Sequence, residues 1–124
     1  MARNANATDR ALRLTSAWRD MVNGRVLNAV PRLFAENAVF TATAPAPLVG
    51  VAAIRSYYEN APVGLSVEVD LIAATTTANA LSIATAVRFM LADGKVRRGR
   101  LSLTAMPVQG QDRIVSYQVC LDGS

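Results

Sequence analysis

The 124-residue chain is 52% hydrophobic, enough to bury one core and too short for two ordinary domains. It contains no histidine and one cysteine, Cys120, which excludes an internal disulfide, the common zinc sites and nucleophile systems built on an imidazole. Twelve arginines and one lysine against nine acids give a net charge of +4, a balance that attracts anions in general or simply maintains solubility. No metal or other cofactor is expected. Nucleic acid is not an expected partner, because only Arg97 to Arg100 (RRGR) resembles a basic cluster and no aromatic stacking platform accompanies it. The start, MARNANATDRALR, has no continuous apolar run, and no later stretch approaches the roughly 20 apolar residues of a membrane span. A cytoplasmic location without a membrane partner is therefore expected.

Residues 1–7 are small and polar and are expected to form a flexible tail. Thr8 is placed to cap a helix in which Ala11, Leu14, Trp18 and Val22 recur at three- and four-residue spacing, with Gly24 as its stop. A shorter second helix is predicted through VLNAVPRLF, provided that Pro31 sits in its first turn. AVFTAT predicts a strand and PAP a loop. VAAIRSYYEN then predicts a third helix between Gly50 and Pro62. From Asn37 to Ile54 there is no charged residue at all. A surface segment of that length ordinarily carries several, so this one is expected to face a core, a partner or an apolar pocket.

The second half is β-rich. VEVDLIAATTT, ALSIATAVRFML, KVRRGRLSLTAM and RIVSYQVCL are separated by the turn signals TAN, ADG and QGQD, which predicts a four-strand meander. Asp93-Gly94 suits a hairpin turn because both positions accept positive φ. Helices followed by an antiparallel meander make an α+β domain spanning 1–124, with three helices on one face of a strongly curved, mainly antiparallel sheet. Such a sheet leaves a cone, and the apolar segment is expected to wall it.

LFAENAVF, a loop and then GVAAIRSYYEN resemble the ketosteroid isomerase and SnoaL-like group of the nuclear transport factor 2-like superfamily. The matching positions are Leu33-Phe34, Glu36-Asn37, Gly50, Ala53-Ile54-Arg55 and Tyr57-Tyr58, and RIVSYQVCLD resembles the closing strand. The resemblance covers nearly the whole chain and implies the cone-shaped fold, a small-molecule pocket and a homodimer. In the ketosteroid isomerases an aspartate acts as base, and a tyrosine with a protonated aspartate forms the oxyanion hole. Laid on this chain, the base position falls at Ala42, the tyrosine at Trp18 and the late aspartate at Thr104. Without these groups, steroid isomerisation by that route is not expected, since a base alone is worth about 10²- to 10⁴-fold. The small-Gly-Asp sequence usual before the second helix reads Asn23-Gly24-Arg25 here.

With Ala42 facing the cavity, alternation and the resemblance put Phe40, Ala44, Val67, Val69, Thr85, Val87, Phe89, Ser102, Thr104, Met106, Tyr117 and Val119 on the same face. Trp18, Tyr57, Tyr58, Thr104 and Tyr117 are the candidates to orient a ligand by hydrogen bonds, against the plainer role of core residues whose polar tips meet backbone carbonyls. Arg100 shares the strand face of Ser102 and Thr104. It either points inward to an acid or ends the strand in water. Glu68 and Asp70 fall outside, and a one-residue slip would reverse that. Arg88, Met90, Ser116, Gln118 and Cys120 belong to the outer face, where Ile114, Val115 and Met90 would give a dimer its apolar patch. Cys120 reads as a small buried hydrophobe. The expected function is a pocket that binds or transforms an apolar ring compound of steroid or polyketide type. If catalytic, the protein would be a cofactor-independent isomerase, cyclase or hydrolase. The alternatives are a non-catalytic binding or dimerisation module and a polyanion-binding protein.

Overall fold

The computed structural model of the chain describes residues 2–42 and 46–122, so Ala44 lies outside the described residues. Helix α1 spans Ala2–Asn23, starting well before Thr8. Residues 2–7, expected as a tail, are its first turns, and the apolar stripe continues back to Ala7, which is buried with Ala11, Leu14, Trp18 and Val22. Thr15 sits within this stripe, where its hydroxyl donates to the Ala11 carbonyl at 2.9 Å and so loses nothing on burial.

The C-terminus of α1 is closed one residue later than Gly24. Arg25 takes the left-handed conformation at φ 59°. The amides of Arg25 and Val26 bond the carbonyls of Val22 and Met21 at 3.2 and 2.9 Å, the paired pattern that ends many helices. Asn23 then faces the edge of the sheet. Its side-chain amide donates to the Val67 carbonyl at 2.9 Å and its oxygen accepts from the Val67 amide at 2.7 Å, as a neighbouring strand would. The predicted second helix is instead a single 3-10 turn, Val30–Leu33, with Pro31 at its start. Pro31 has no N–H to carry an α-helical ladder through this short stretch. Helix α2 spans Val51–Glu59.

Among the described residues six strands form one sheet: β1 (Phe34–Thr41), β2 (Leu48–Val49), β3 (Ser66–Thr77), β4 (Ala80–Met90), β5 (Val96–Val108) and β6 (Gln111–Leu121). Their order is β2-β1-β6-β5-β4-β3. All neighbours are antiparallel except β1 and β6, which run parallel because the helical half returns the chain to the far edge of the meander. The helices cover the concave face, α1 against β3 and β4 and α2 against β1. The core between them includes Trp18, Phe34, Phe40, Ile54, Leu81, Ile83, Leu101, Leu103 and Ile114.

The register of β5 differs from the expected one, and the cause is a single loop residue. A two-residue Asp93-Gly94 turn would place Arg100 opposite Val87 and Thr104 opposite Ile83. The loop has three residues, Ala92 to Gly94: the Leu91 amide donates to the Lys95 carbonyl, the Gly94 amide to the Leu91 carbonyl, and only Gly94 takes positive φ, 89°. Val87 therefore pairs with Gly99, Thr85 with Leu101 and Ile83 with Leu103. One residue of slip turns every side chain over. Leu101, Leu103 and Ala105 enter the core, while Arg100, Ser102 and Met106 are exposed and the half-buried Thr104 shares their outer face. Arg100, Thr104 and Met106 are thus not pocket residues.

Two assignments on the outer face also change. Ile114 is 0% exposed, because a bulge at Val115 turns it inward beside Ala105, so it adds nothing to an outer apolar patch. Cys120 is exposed rather than buried. Glu68 and Asp70 are exposed on that face, and Glu68 pairs with Arg88 across β3 and β4.

Candidate functional site: an apolar cavity with a phenol pair

Between the helices and the concave sheet lies a cavity of about 410 Å³, within the ~300–1,000 Å³ typical of small-molecule sites. Trp18 and Val22 of α1, Tyr57 and Tyr58 of α2, and Leu65 beyond it line one side. Ala42, just past the end of β1, lines the other with Phe89, Tyr117 and Leu121, which follow the inward phase of β4 and β6. Ala42, the position to which the resemblance assigns a base, offers the cavity a methyl group. Phe40 is not part of the lining. It lies behind it, 0% exposed, stacked on Tyr117 with ring centroids 4.0 Å apart and planes 9° apart.

The polar atoms inside are few and organised. Trp18 Nε1 donates to the Tyr58 hydroxyl at 3.0 Å, both side chains being buried. An indole N–H can only donate, so the Tyr58 oxygen is the acceptor and its own proton is left for another group. Tyr117, 3% exposed, lines the same cavity. Edge-on contacts of Trp18 with Phe89 and Tyr117, at 6.3 and 6.2 Å, hold the three rings in place.

Burial pushes the Tyr58 phenol well above its ordinary pKa, opposed in part by the Trp18 hydrogen bond. Burial likewise raises Tyr117 well above the ordinary value, with Tyr58 and Tyr57 adding to the effect, and raises Tyr57. At neutral pH these phenols are therefore neutral donors rather than bases. Among the described residues no aspartate or glutamate lines the cavity, and Arg97 is its single charged lining residue. Nor, among those residues, is any cluster of three or more His, Cys, Asp or Glu side chains placed to hold a metal ion. The arrangement can enclose an apolar body and present hydrogen-bond donors to an oxygen on it.

Of the residues singled out in the sequence, Trp18, Ala42, Tyr57, Tyr58, Phe89, Tyr117 and Val119 come together around this cavity. Asn60, Leu65 and Arg97 also line it without having been anticipated. Arg97 was recoverable in principle. Leu101, Leu103 and Ala105 form the only consistently apolar phase of β5, and that phase puts Arg97 and Gly99 on the inner face.

No helix among the described residues is long and apolar enough to cross a membrane. No protein-family model and no curated protein matches the chain. Solved structures do. A candidate scytalone dehydratase of Novosphingobium aromaticivorans superposes with a TM-score of 0.84 at 14% identity, covering 99% of this chain and 89% of that one. A nuclear transport factor 2-like protein with a cystatin-like fold from the same organism gives 0.84 at 16% identity, over 99% and 87%. A ketosteroid isomerase-like protein of Erwinia carotovora atroseptica gives 0.79 at 13% identity, over 94% and 96%. At such identities the likeness is one of backbone, and on that ground the chain has the nuclear transport factor 2-like, cystatin-like fold.

Proposed function

We propose that the protein binds, and in the stronger form transforms, an apolar ring-bearing small molecule in the cavity between α1, α2 and the concave sheet. The observation that carries this is the Tyr58 hydroxyl, which accepts from Trp18 Nε1 and keeps its own proton as a neutral donor in a largely apolar cavity of about 410 Å³. A carbonyl or hydroxyl oxygen on the ligand would satisfy the Tyr58 proton that Trp18 leaves free. Fold neighbours that bear the names of a dehydratase and an isomerase-like protein support a small-molecule role. As an enzyme, the protein would polarise that oxygen, an effect worth about 10²- to 10³-fold per well-placed donor. Isomerase, cyclase or hydrolase chemistry without a protein carboxylate is the class that fits.

A second reading, binding without turnover, is favoured by the lack of any acid among the described residues of the cavity wall and of any histidine in the chain. Its variant in which the cavity is filled by side chains is disfavoured by the open volume. The homodimer belongs to the same proposal and would use the outer sheet face, which exposes Val39, Ile72 and Met106; sedimentation equilibrium measures it.

Trp18 is the only tryptophan, so its fluorescence reports the cavity directly. Titration with steroid-like and polyketide-like ring compounds should give a saturable change and a rise in melting temperature that follows ligand concentration. A flat response across such a panel overturns the reading. Mass analysis of the recovered ligand then separates turnover from binding.

A further inference from the structure

The proposed ligand has a second end, and the residue that would meet it is Arg97. It opens β5 opposite Phe89, which in turn pairs with the fully buried Val67, so all three belong to the inner row of the sheet. Arg97 lines the cavity while remaining exposed to solvent, which places it at the mouth, whereas Tyr58 and Tyr117, at 4% and 3% exposure, form the inner end. Two other arginines are matched by acids, Arg10 by Asp112 and, on the outer face, Arg88 by Glu68. Among the described residues Arg97 has no such partner, and the cavity wall carries no carboxylate to supply one.

A guanidinium at the rim of an apolar cavity attracts an anion, and its planar fork matches an oxyanion with two parallel hydrogen bonds. The positive net charge of the chain adds attraction at longer range. Building on the cavity reading above, we propose that the ligand is a ring-bearing organic acid. Its apolar body lies along Phe89, Leu65 and Trp18, and its oxyanion is held at the mouth by Arg97. Arg97 is then a specificity-determining residue that separates acids from neutral compounds of the same shape. The same arrangement sets the direction of entry, with the charged end outermost.

Calorimetric titration with naphthalene-2-carboxylate and with its neutral isostere naphthalene-2-carboxamide tests this. The wild-type protein should bind the carboxylate about tenfold more tightly at low ionic strength, the scale of one charge-assisted hydrogen-bond pair, and the preference should shrink as salt is added. In Arg97→Gln the preference should vanish while the carboxamide binds as before. Arg97→Lys should keep part of it, and Arg100→Gln, which changes an arginine on the outer face, should keep all of it. Equal binding of the two probes by the wild type overturns this inference and leaves the cavity reading standing. Equal loss of both probes in Arg97→Gln shows a structural role and overturns it as well. Binding of neither probe, with Trp18 fluorescence unmoved, overturns the cavity reading and this inference together.

Discussion

The two faces of strand β5 differ in everything but backbone. Inward, Gly99, Leu101, Leu103 and Ala105 are buried; outward, Arg98, Arg100, Ser102 and Met106 are exposed, with Thr104 half-buried among them. The same contrast runs through β4, where Thr85 and Val87 face the core and Arg88 reaches Glu68 on the outside. The charges are thereby kept on the outer wall and at the rim. Within the cavity, polarity is left to phenols, an indole and an amide, groups that bind without bringing an ion into a low-dielectric site.

Paired substitutions at adjacent positions should expose this contrast most strongly. Leu103→Ala removes a buried side chain and should cost about 2–5 kcal/mol, while Thr104→Ala should stay within about 0.5 kcal/mol; urea unfolding of both variants measures the difference. Equal effects would contradict the register of β5. Gly99→Ala should come next. A Cβ there would meet the Cys120 carbonyl oxygen at 2.3 Å and the Leu121 Cα at 2.9 Å. Both are backbone atoms that cannot rotate away, so a loss of about 1–3 kcal/mol is expected, read as a lower melting temperature.

Tyr58→Phe leaves the buried Trp18 N–H without its acceptor and should cost about 1–3 kcal/mol. It should also weaken ligands that carry an acceptor oxygen more than hydrocarbons of equal size. Fluorescence titration of both ligand types separates the hydrogen bond from the packing. Loss of affinity for both types alike would reduce Tyr58 to a wall residue.

The Arg10–Asp112 pair ties α1 to the start of β6 through two bonds of 2.9 and 2.6 Å. The Arg10 hydrogen bond holds the Asp112 carboxyl below its ordinary pKa. A group depressed in the folded state stabilises at pH above its unfolded value, near 4, and loses that contribution as the pH falls through the lower folded value. Asp112→Asn should therefore destabilise by about 1–2 kcal/mol at neutral pH and by much less in strong acid, where the wild type has lost the same contribution. Comparing urea midpoints at the two pH values checks the sign. Arg100→Gln should show the smallest effect, within about 0.5 kcal/mol, with ligand affinity unchanged.

Much of this architecture was legible locally. The stripe from Ala11 to Val22, the four β-rich runs and the Tyr57-Tyr58 pair are short-range patterns, and each became an element or a part of the cavity lining, whereas of the described residues in the uncharged segment from Asn37 to Ile54 Ala42 alone lines the cavity. The face of β5 was legible too, in the alternation of Leu101, Leu103 and Ala105 with Arg100, Ser102 and Thr104. The resemblance and a two-residue reading of Asp93-Gly94 pointed the other way, and the simpler alternation was the better guide. Asn23 was different, since its partner Val67 is 44 residues away and nothing near Asn23 in the chain announces it.

The sequence by itself determined the periodicities, the absence of imidazole and the placement of apolar runs, hence an α+β domain with a largely apolar inner face. Tertiary structure alone decided the meeting of Trp18, Tyr58 and Tyr117 and the pairing of Asn23 with Val67. Those facts depend on contacts between distant segments, and their energies exist only once the chain has closed on itself.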